Sequence, residues 1–185
     1  MKDNTWIWSS GFDEKLIKKV EEISEEKGLV LGEILNYGVN QNDSTKRISN
    51  ICFIEDAEIR EAIWGYVTDA NCHCFGFDIV NIFDVQFGEY RAEDKGCYGW
   101  HCDSWFVTDK FVDRKLSIVI QLSDPSEYEG GELEFDIEGK TFKPINFNKK
   151  GSVIVFPSFI RHRVTPITKG IRHSLVAWIQ GPIFK

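Results

Sequence analysis

From Phe75 onward the apolar residues of this chain come in short runs, FDIVNIF, DVQFGEY, LSIVIQL, GELEFDI, GSVIVF and HSLVAWI, separated by Gly, Pro and Asp. None keeps a 3.6-residue period long enough for a helix, and each has the length and the Val, Ile and Phe content of a strand. Many short strands with no helical stretch between them can cover their apolar faces only by packing sheet on sheet or by closing into a barrel. A mainly β core over about residues 75–185 is therefore predicted.

The segment of about residues 1–74 reads differently. Leu16, Ile17, Val20 and Ile23 form one apolar stripe, which predicts a helix over about Asp13 to Lys27, with Ser10 as its cap and Gly28 ending it. Ile59, Ile63 and Val67 recur every four residues and predict a second helix over about Asp56 to Ala70, with a strand over Thr45 to Ile54 between the two. Gly38 to Lys46 is expected as a surface loop, and Lys95 to Gly99 and Thr108 to Arg114, which bracket His101 to Asp103, as mobile loops or alternatively as mere connections. No repeat, low-complexity tract or Ser/Pro linker divides the chain, so residues 1–185 are expected as one domain, the N-terminal helices supporting the β core.

Inside the β pattern stands His101-Cys102-Asp103. Side chains two apart on a strand project from one face, so an imidazole and a carboxylate can meet at one point while Cys102 turns away. With His162 as a third ligand the set becomes two histidines and one carboxylate, which occupies one side of an octahedral metal and leaves the other positions open. A closed structural zinc site would call for suitably spaced thiolates, and there are none. Iron is preferred, although Mn, Co, Ni or Zn suit the same ligands. On its own a His-x-Asp is a weak signal, because surface histidines near a turn aspartate are common.

Composition narrows the setting. Apolar residues make up 42% of the 185 and aromatics 14%, enough for a packed interior and too many for a disordered chain. A formal net charge of −7 argues against a general nucleic-acid surface, which draws its affinity from many Lys and Arg contacts to phosphate. The five cysteines include no Cys-x-x-Cys pair, and neither a signal-like apolar core nor a long apolar span is present, so a reducing, cytoplasmic setting without membrane contact is expected.

Taken in order, QFGEY (Gln86 to Tyr90), YGWHCD (Tyr98 to Asp103), RKLS (from Arg114) leading into IVIQLSDP, YEGGELEF (from Tyr128), GSVIVFPSFIRHRV (from Gly151) and GIRHSLVAWIQGP (from Gly170) resemble the Fe(II)- and 2-oxoglutarate-dependent oxygenases, and among them the prolyl 4-hydroxylase-like group with its short bacterial and phage-encoded members. The likeness runs over roughly the C-terminal hundred residues, with looser similarity reaching back to FGFDI at Phe75 to Ile79. It implies a double-stranded β-helix (jelly-roll) core.

It also implies Fe(II) on His101, Asp103 and His162, with 2-oxoglutarate and O2 as cosubstrates. Residues 172, 174, 176 and 178 share a strand face. An arginine facing into a barrel is costly unless an anion meets it, and the far carboxylate of a dicarboxylate can pair with Arg172 in bidentate fashion. Many prolyl 4-hydroxylases carry lysine at this position, and other oxygenases of the class carry arginine. Ser174, or alternatively mere filling of space by it, and Tyr90, or alternatively an ordinary core tyrosine, complete that end. Tyr98, Arg114 and Trp178 match the positions that line the family's proline cleft, a fit to an apolar ring and a tertiary amide carbonyl.

Other features are expected to be structural. Cys72-His73-Cys74 has poor ligand geometry; Gly130-Gly131 gives a tight entry to a strand whose Glu132, Glu134 and Asp136 face solvent; Pro157 ends the strand before His162; Arg161 and Arg163 are exposed strand-end arginines, or alternatively steer a substrate. The expected activity is that of a procollagen-proline 4-dioxygenase-like enzyme. It hydroxylates a prolyl residue at C4 in a peptide or protein, releases succinate and CO2, and uses ascorbate as reductant. The alternatives are a 2-oxoglutarate oxygenase acting on a nucleobase, free amino acid or other small molecule, and a non-catalytic cupin-like binding protein. The sequence carries no signal for oligomeric state.

Overall fold

The computed structural model describes residues 5–8, 11–32, 34–36, 39–41, 47–105 and 111–183. In chain order these form β1 (Trp6–Trp8), α1 (Glu14–Lys27), β2 (Val30–Leu31), β3 (Ile34–Asn36), β4 (Val39–Gln41), β5 (Arg47–Ile48), β6 (Asn50–Phe53) and α2 (Ala57–Ala70). There follow β7 (Asn81–Arg91), β8 (Cys97–His101), β9 (Val112–Gln121), β10 (Tyr128–Gly130), β11 (Leu133–Ile137), β12 (Lys140–Phe142), β13 (Val153–Pro157), β14 (Arg161–Val164) and β15 (Ile167–Pro182). Among the described residues the fold is mainly β with two α-helices. A large antiparallel sheet runs β1-β13-β9-β15-β7-β6-β2, with β10 added to β15, and a smaller one runs β12-β11-β14-β8-β5.

The two sheets face each other, and side-chain alternation decides what lies between them. On β15, Leu175, Ala177 and Ile179 point outward with Leu116, Ile118, Ile120, Val85 and Phe87, and pack against Ile17 and Val20 of α1 and Ile59, Ile63 and Val67 of α2. The inward face of the large sheet contributes Val119, Ile154 and Phe156, which meet Leu133 and Phe135 of the small sheet. Burial on both faces explains why LSIVIQL is nearly continuously apolar rather than alternating.

Both helices form where the apolar stripes predict them. Asp13 caps α1, its side chain accepting from Lys15 N at 2.8 Å, while the expected cap Ser10 lies outside the described residues. The predicted strand over Thr45 to Ile54 is two strands: the chain breaks at Ser49, β5 pairs with β8 in the small sheet and β6 with β7 in the large one. Thr45 itself lies outside the described residues. FDIVNIF and DVQFGEY, expected as separate runs, merge into β7, which starts only at Asn81. Phe77 is held off the sheet because the Asn71 amide bonds both its N–H (2.9 Å) and its C=O (2.8 Å), and its ring stacks on Phe75 at 6.4 Å. That asparagine opens a π-turn, Asn71–Phe75, that carries Cys72-His73-Cys74 beyond α2.

Three expected loops are partly strand. Cys97 to Gly99 belong to β8, Val112 to Arg114 to β9, and Val39 to Gln41 pair with β3; residues 38, 42–46 and 108–110 lie outside the described residues. Glu134, expected in solvent, is buried at 4% exposure, because Arg163 lies along it with Nε and Nη2 each donating at 2.7 Å, and Lys143 Nζ closes to 3.3 Å. Glu132 is exposed and Asp136 half-buried, and Pro157 closes β13. At Gly131, φ is +61°, and a Cβ there would stand 2.9 Å from Arg172 Cδ, so a glycine lets the Tyr128 to Leu133 segment pass close to that arginine.

Asp56 joins the helical layer together. Its carboxylate caps α2 through Ile59 N (3.0 Å) and pairs with Lys19 of α1 at 2.8 Å, and the Lys19 ammonium, followed by the Ile59 N–H, holds its pKa below the usual carboxylate value. Asp56→Ala is expected to cost about 1 kcal/mol of stability by loss of the cap. A group with a depressed folded pKa contributes its charge-dependent stability above its unfolded pKa and loses it as the pH falls through the folded one. Asp56→Asn, which keeps a capping oxygen, should therefore fall below wild type in urea melts at neutral pH and converge with it in acid; a gap that persists at low pH would count against the Lys19 pairing.

Candidate metal centre and its pocket

Three side chains converge at one end of the space between the sheets. His101 ends β8 and His162 is the second residue of β14, and the two strands pair with these residues directly opposite each other. Asp103 lies just beyond β8, its N–H and that of Ser104 both bonded to the Ser158 carbonyl at 2.8 and 3.1 Å. His101 Nε2 lies 3.7 Å from Asp103 Oδ1, His162 Nε2 lies 3.5 Å from Oδ2, and one ligand atom from each residue falls within 4.8 Å of the others. Among the described residues this is the one group of three His, Cys, Asp or Glu side chains so placed.

The surroundings prepare these atoms as ligands. His101 Nδ1 faces the Gly99 carbonyl at 2.8 Å and His162 Nδ1 the Ile160 carbonyl at 2.9 Å, which puts the proton on Nδ1 and leaves each Nε2 lone pair free for a metal. Burial, helped by the neighbouring His162, pushes the His101 pKa down to about 3, so its imidazole is neutral at physiological pH. For Asp103, burial acts upward, yet the two imidazoles, Arg114 and a hydrogen bond from Ser117 outweigh it and hold the carboxyl below its ordinary value. Ser117 Oγ donates to Asp103 Oδ2 at 2.6 Å and lies 2.9 Å from Ser158 Oγ, so the large sheet fixes the carboxylate of the small one. An anionic oxygen donor beside two imidazoles suits a divalent transition metal with open positions.

A narrow slot leads inward from this group. It is lined by Tyr90, Tyr98, His101, Asp103, His162, Arg172, Ser174 and Trp178, so eight of the nine residues singled out in the sequence meet along one cavity, with Arg114 beside it. Tyr98 stacks on His101 with ring centroids 3.6 Å apart and planes 10° apart, and burial pushes its phenol up to about 12. Arg114 lies 4.2 Å over the Trp178 ring; burial lowers its pKa, with Asp103 and Asp84 opposing. At the far end, Arg172 is 2% exposed, sits 5.7 Å over the Tyr90 ring, and has no hydrogen-bond partner for Nη1. A buried guanidinium with an unmet donor is a site that an anion completes. The orphaned Nη1 and the donor set thus fit a metal and a carboxylate ligand at opposite ends of one slot.

Arg161 and Arg163 do not reach the slot. They flank the inward His162 and therefore point outward, to Asp136 at 3.2 Å and to Glu134, with Trp100 between them at 5.4 and 4.6 Å. His73 contacts Asp69 and stacks on Trp6, away from the triad. Three further residues, Ser117 beside Asp103 and Gln86 and Arg47 along the slot, were not anticipated from the sequence. Gln86 shares a face with Tyr90 by strand parity, and Ser117 shares one with Val119, so periodicity gave a signal for these two. Arg47 had none, since its place depends on the sheet switch at Ser49.

Residues 85–180, just over half of the chain, match the 2OG-Fe(II) oxygenase superfamily model, and the chain belongs to that superfamily. It is 43% identical over 94 residues to a PKHD-type hydroxylase of Synechococcus sp. (strain CC9902) and 40% identical over 100 residues to one of Gloeothece citriformis (strain PCC 7424); these stretches cover 50% and 54% of this chain. They span only 40% and 44% of those relatives, less than half their length. Solved structures share the whole fold. The viral collagen prolyl hydroxylase of Paramecium Bursaria Chlorella virus-1 superposes with a TM-score of 0.73 at 20% identity, covering 97% of both chains. A Pseudomonas putida prolyl-4-hydroxylase gives 0.72 at 19%, covering 95% of this chain and 91% of its own. The likeness identifies the paired sheets as a double-stranded β-helix. Among the described residues no helix is long and apolar enough to cross a membrane.

Replacing His101, Asp103 or His162 with Ala is expected to abolish tight binding of Mn(II) in calorimetry, while His73→Ala binds as wild type. Ser117→Ala, which removes only the support of Asp103, should weaken the metal by about 10- to 100-fold. Wild-type affinity in Asp103→Ala would overturn the ligand assignment.

Proposed function

We propose that this member of the 2OG-Fe(II) oxygenase superfamily is a 2-oxoglutarate-dependent dioxygenase that hydroxylates a prolyl residue, at C4, in a peptide or protein. One observation carries the cosubstrate part: a single slot has a two-histidine, one-carboxylate set at one end and a buried arginine with an unmet donor at the other. A 2-oxo acid with a second, remote carboxylate answers both ends. His101, Asp103 and His162 hold Fe(II), which together with 2-oxoglutarate supplies the oxygen-activating chemistry when bound, with ascorbate as external reductant. Arg172 takes the remote carboxylate, Ser174 adds a hydroxyl on the same strand face, and Tyr90 walls that end.

The prolyl assignment rests on the mouth. Arg114 Nε and Trp178 Nε1 are both buried without a hydrogen-bond partner, side by side over the metal end. A peptide carbonyl supplies the acceptor they need, and the faces of Tyr98 and Trp178 suit an apolar ring. In this reading Arg114 orients the peptide, Trp178 and Tyr98 hold the ring, and the closed wall keeps water from the reacting carbon. The structural neighbours include a viral collagen prolyl hydroxylase and a Trichoplax adhaerens prolyl hydroxylase in complex with a hypoxia inducible factor peptide fragment, and both names support a peptidyl substrate here.

Arg172→Ala should weaken 2-oxoglutarate binding by about tenfold or more, the loss of a charge-assisted pair, and Arg172→Lys should recover only part because it lacks the bidentate fork. Unchanged affinity in the Ala variant would move the anchor elsewhere. For the substrate, incubation of proline peptides, nucleotides and free amino acids with Fe(II), 2-oxoglutarate and ascorbate, followed by fragmentation mass spectrometry, should place one added oxygen on proline. Arg114→Ala and Trp178→Ala should cripple that hydroxylation yet spare much of the slow, substrate-free turnover of 2-oxoglutarate. Oxygen found on a base or a free amino acid would sink the prolyl assignment and leave the oxygenase one standing.

A further inference from the structure

The slot does not end blind at Arg172. A second cavity of about 490 Å³ adjoins it, and Arg172 and Leu133 line both spaces. Strand register fixes their order. On β15, Trp178 pairs with Ser117, the residue that bonds Asp103, and so marks the metal end; Ser174 pairs with Gln121, and Arg172 with Tyr90. Gln121 lines the second cavity and not the slot, so that cavity opens at the height of Ser174 and lies on the side of Arg172 remote from the metal group.

The slot itself has room of only about 40 Å³, space for roughly three waters, so a five-carbon diacid enters only if a wall yields. Most of the wall is held. Asp103 is bonded to Ser117, and Val119 and Leu133 belong to the packed gap between the sheets. Arg172 is held far less firmly: its Nη1 has no partner, and Cζ lies 5.7 Å from the Tyr90 ring, near the outer limit of a cation–π contact. Arg163 shows the contrast, its Nε and Nη2 each meeting Glu134 at 2.7 Å.

The space behind the guanidinium is kept open. A Cβ on Gly131 would stand 2.9 Å from Arg172 Cδ, so the glycine leaves the arm clear. Gln121 is fastened to the cavity wall, Nε2 donating to Tyr128 Oη at 2.9 Å and to the Ser123 carbonyl at 3.2 Å. Glu132, the one acid among the described residues that line the cavity, is paired with Lys143, so its charge is already met.

We propose that the inner end of the cosubstrate site yields: Arg172 withdraws toward the rear cavity as the ligand enters, and the slot therefore takes 2-oxo diacids longer than 2-oxoglutarate while still pairing their remote carboxylate. A rigid, closed end would discriminate against one extra methylene by about 10- to 200-fold. An anchor with empty space behind it moves instead of clashing. The inference rests on the proposed binding of 2-oxoglutarate along this slot and names the class of acid that the slot accepts.

The test uses the full chain loaded with Mn(II), without O2, and three ligands titrated by calorimetry: 2-oxoglutarate, 2-oxoadipate, which is one methylene longer, and 2-oxohexanoate, which has the longer chain without the remote carboxylate. Wild type should bind 2-oxoadipate within about threefold of 2-oxoglutarate, and 2-oxohexanoate about tenfold or more weaker than 2-oxoadipate. Arg172→Gln should bring 2-oxoadipate down to the level of 2-oxohexanoate. A crystal structure of the Mn(II) and 2-oxoadipate complex should show the guanidinium moved from the Tyr90 ring toward Gln121. Wild type that binds 2-oxoglutarate but holds 2-oxoadipate about tenfold or more weaker would overturn the proposal. So would 2-oxoadipate binding that survives Arg172→Gln, or a guanidinium left in place in the complex. Failure of wild type to bind 2-oxoglutarate, or 2-oxoglutarate binding untouched by Arg172→Gln, would strike the underlying reading instead.

Discussion

The inner wall of the slot depends on the alternation of β15 from Arg172 to Trp178, ahead of the irregularities in its register with β7 and β9. This strand is hydrogen-bonded on both sides, to β7 and β9, so a slip of one residue would have to break both ladders and turn every side chain to the opposite face. Leu175, Ala177 and Ile179 are locked outward by the helices, with no measurable exposure. Arg172, Ser174, Val176 and Trp178 are thereby forced inward, whatever their own preference. The cost of placing a guanidinium in the interior is borne by the apolar face behind it. That face is worth roughly 1.5 to 3 kcal/mol for each large aliphatic side chain buried, which together exceeds what one strained polar position costs.

The same logic separates what was legible in the chain from what was not. Alternation and the i, i+4 stripe are local, so α1, α2 and the inward set on β15 could be read from the residues themselves. The His-x-Asp spacing is equally local, and His162 followed from its place in an ordered series. Glu134 was misread because strand parity sends it to the outer face of its sheet, and parity cannot show that Arg163 and Lys143 will cover that face. The split at Ser49 was invisible for a related reason. RISNICF has one apolar pattern, yet Arg47 and Ile48 pair with Tyr98 and Cys97 of one sheet while Asn50 to Phe53 pair with Glu89 to Gln86 of the other. Only the partner strands decide where the chain changes sheet.

That change of sheet has a structural consequence. A strand that leaves one sheet for the other must cross the gap between them, which brings its crossing residues to the interior. Arg47 lies at the crossing, and its long arm carries charge from the edge of the small sheet to Gln86 on the large one. The slot is thus walled, among the described residues, from three origins: the strands of the small sheet with the metal-binding group, the inward face of the large sheet, and Arg47 from the segment that the helices brace.

Two kinds of contact hold the metal-binding group. Phe135 and Phe156 pack on the His162 ring, with centroids 6.0 and 4.8 Å away, and with Leu133 and Ile154 they fill the gap between the sheets, where dispersion and burial set the separation. Polar contacts join the sheets at the same place, through the Asp103 carboxylate to Ser117 and through the Asp103 and Ser104 N–H groups to the Ser158 carbonyl, while Tyr98 stacks on His101 within the small sheet. Hydrogen bonds are directional and apolar packing is not, so the polar contacts fix angles while the apolar ones fix only distance. A ligand set for an octahedral metal needs angles. The oriented groups around Asp103 meet that requirement, and the aromatic rings behind His162 keep the two sheets at the spacing over which those groups can reach.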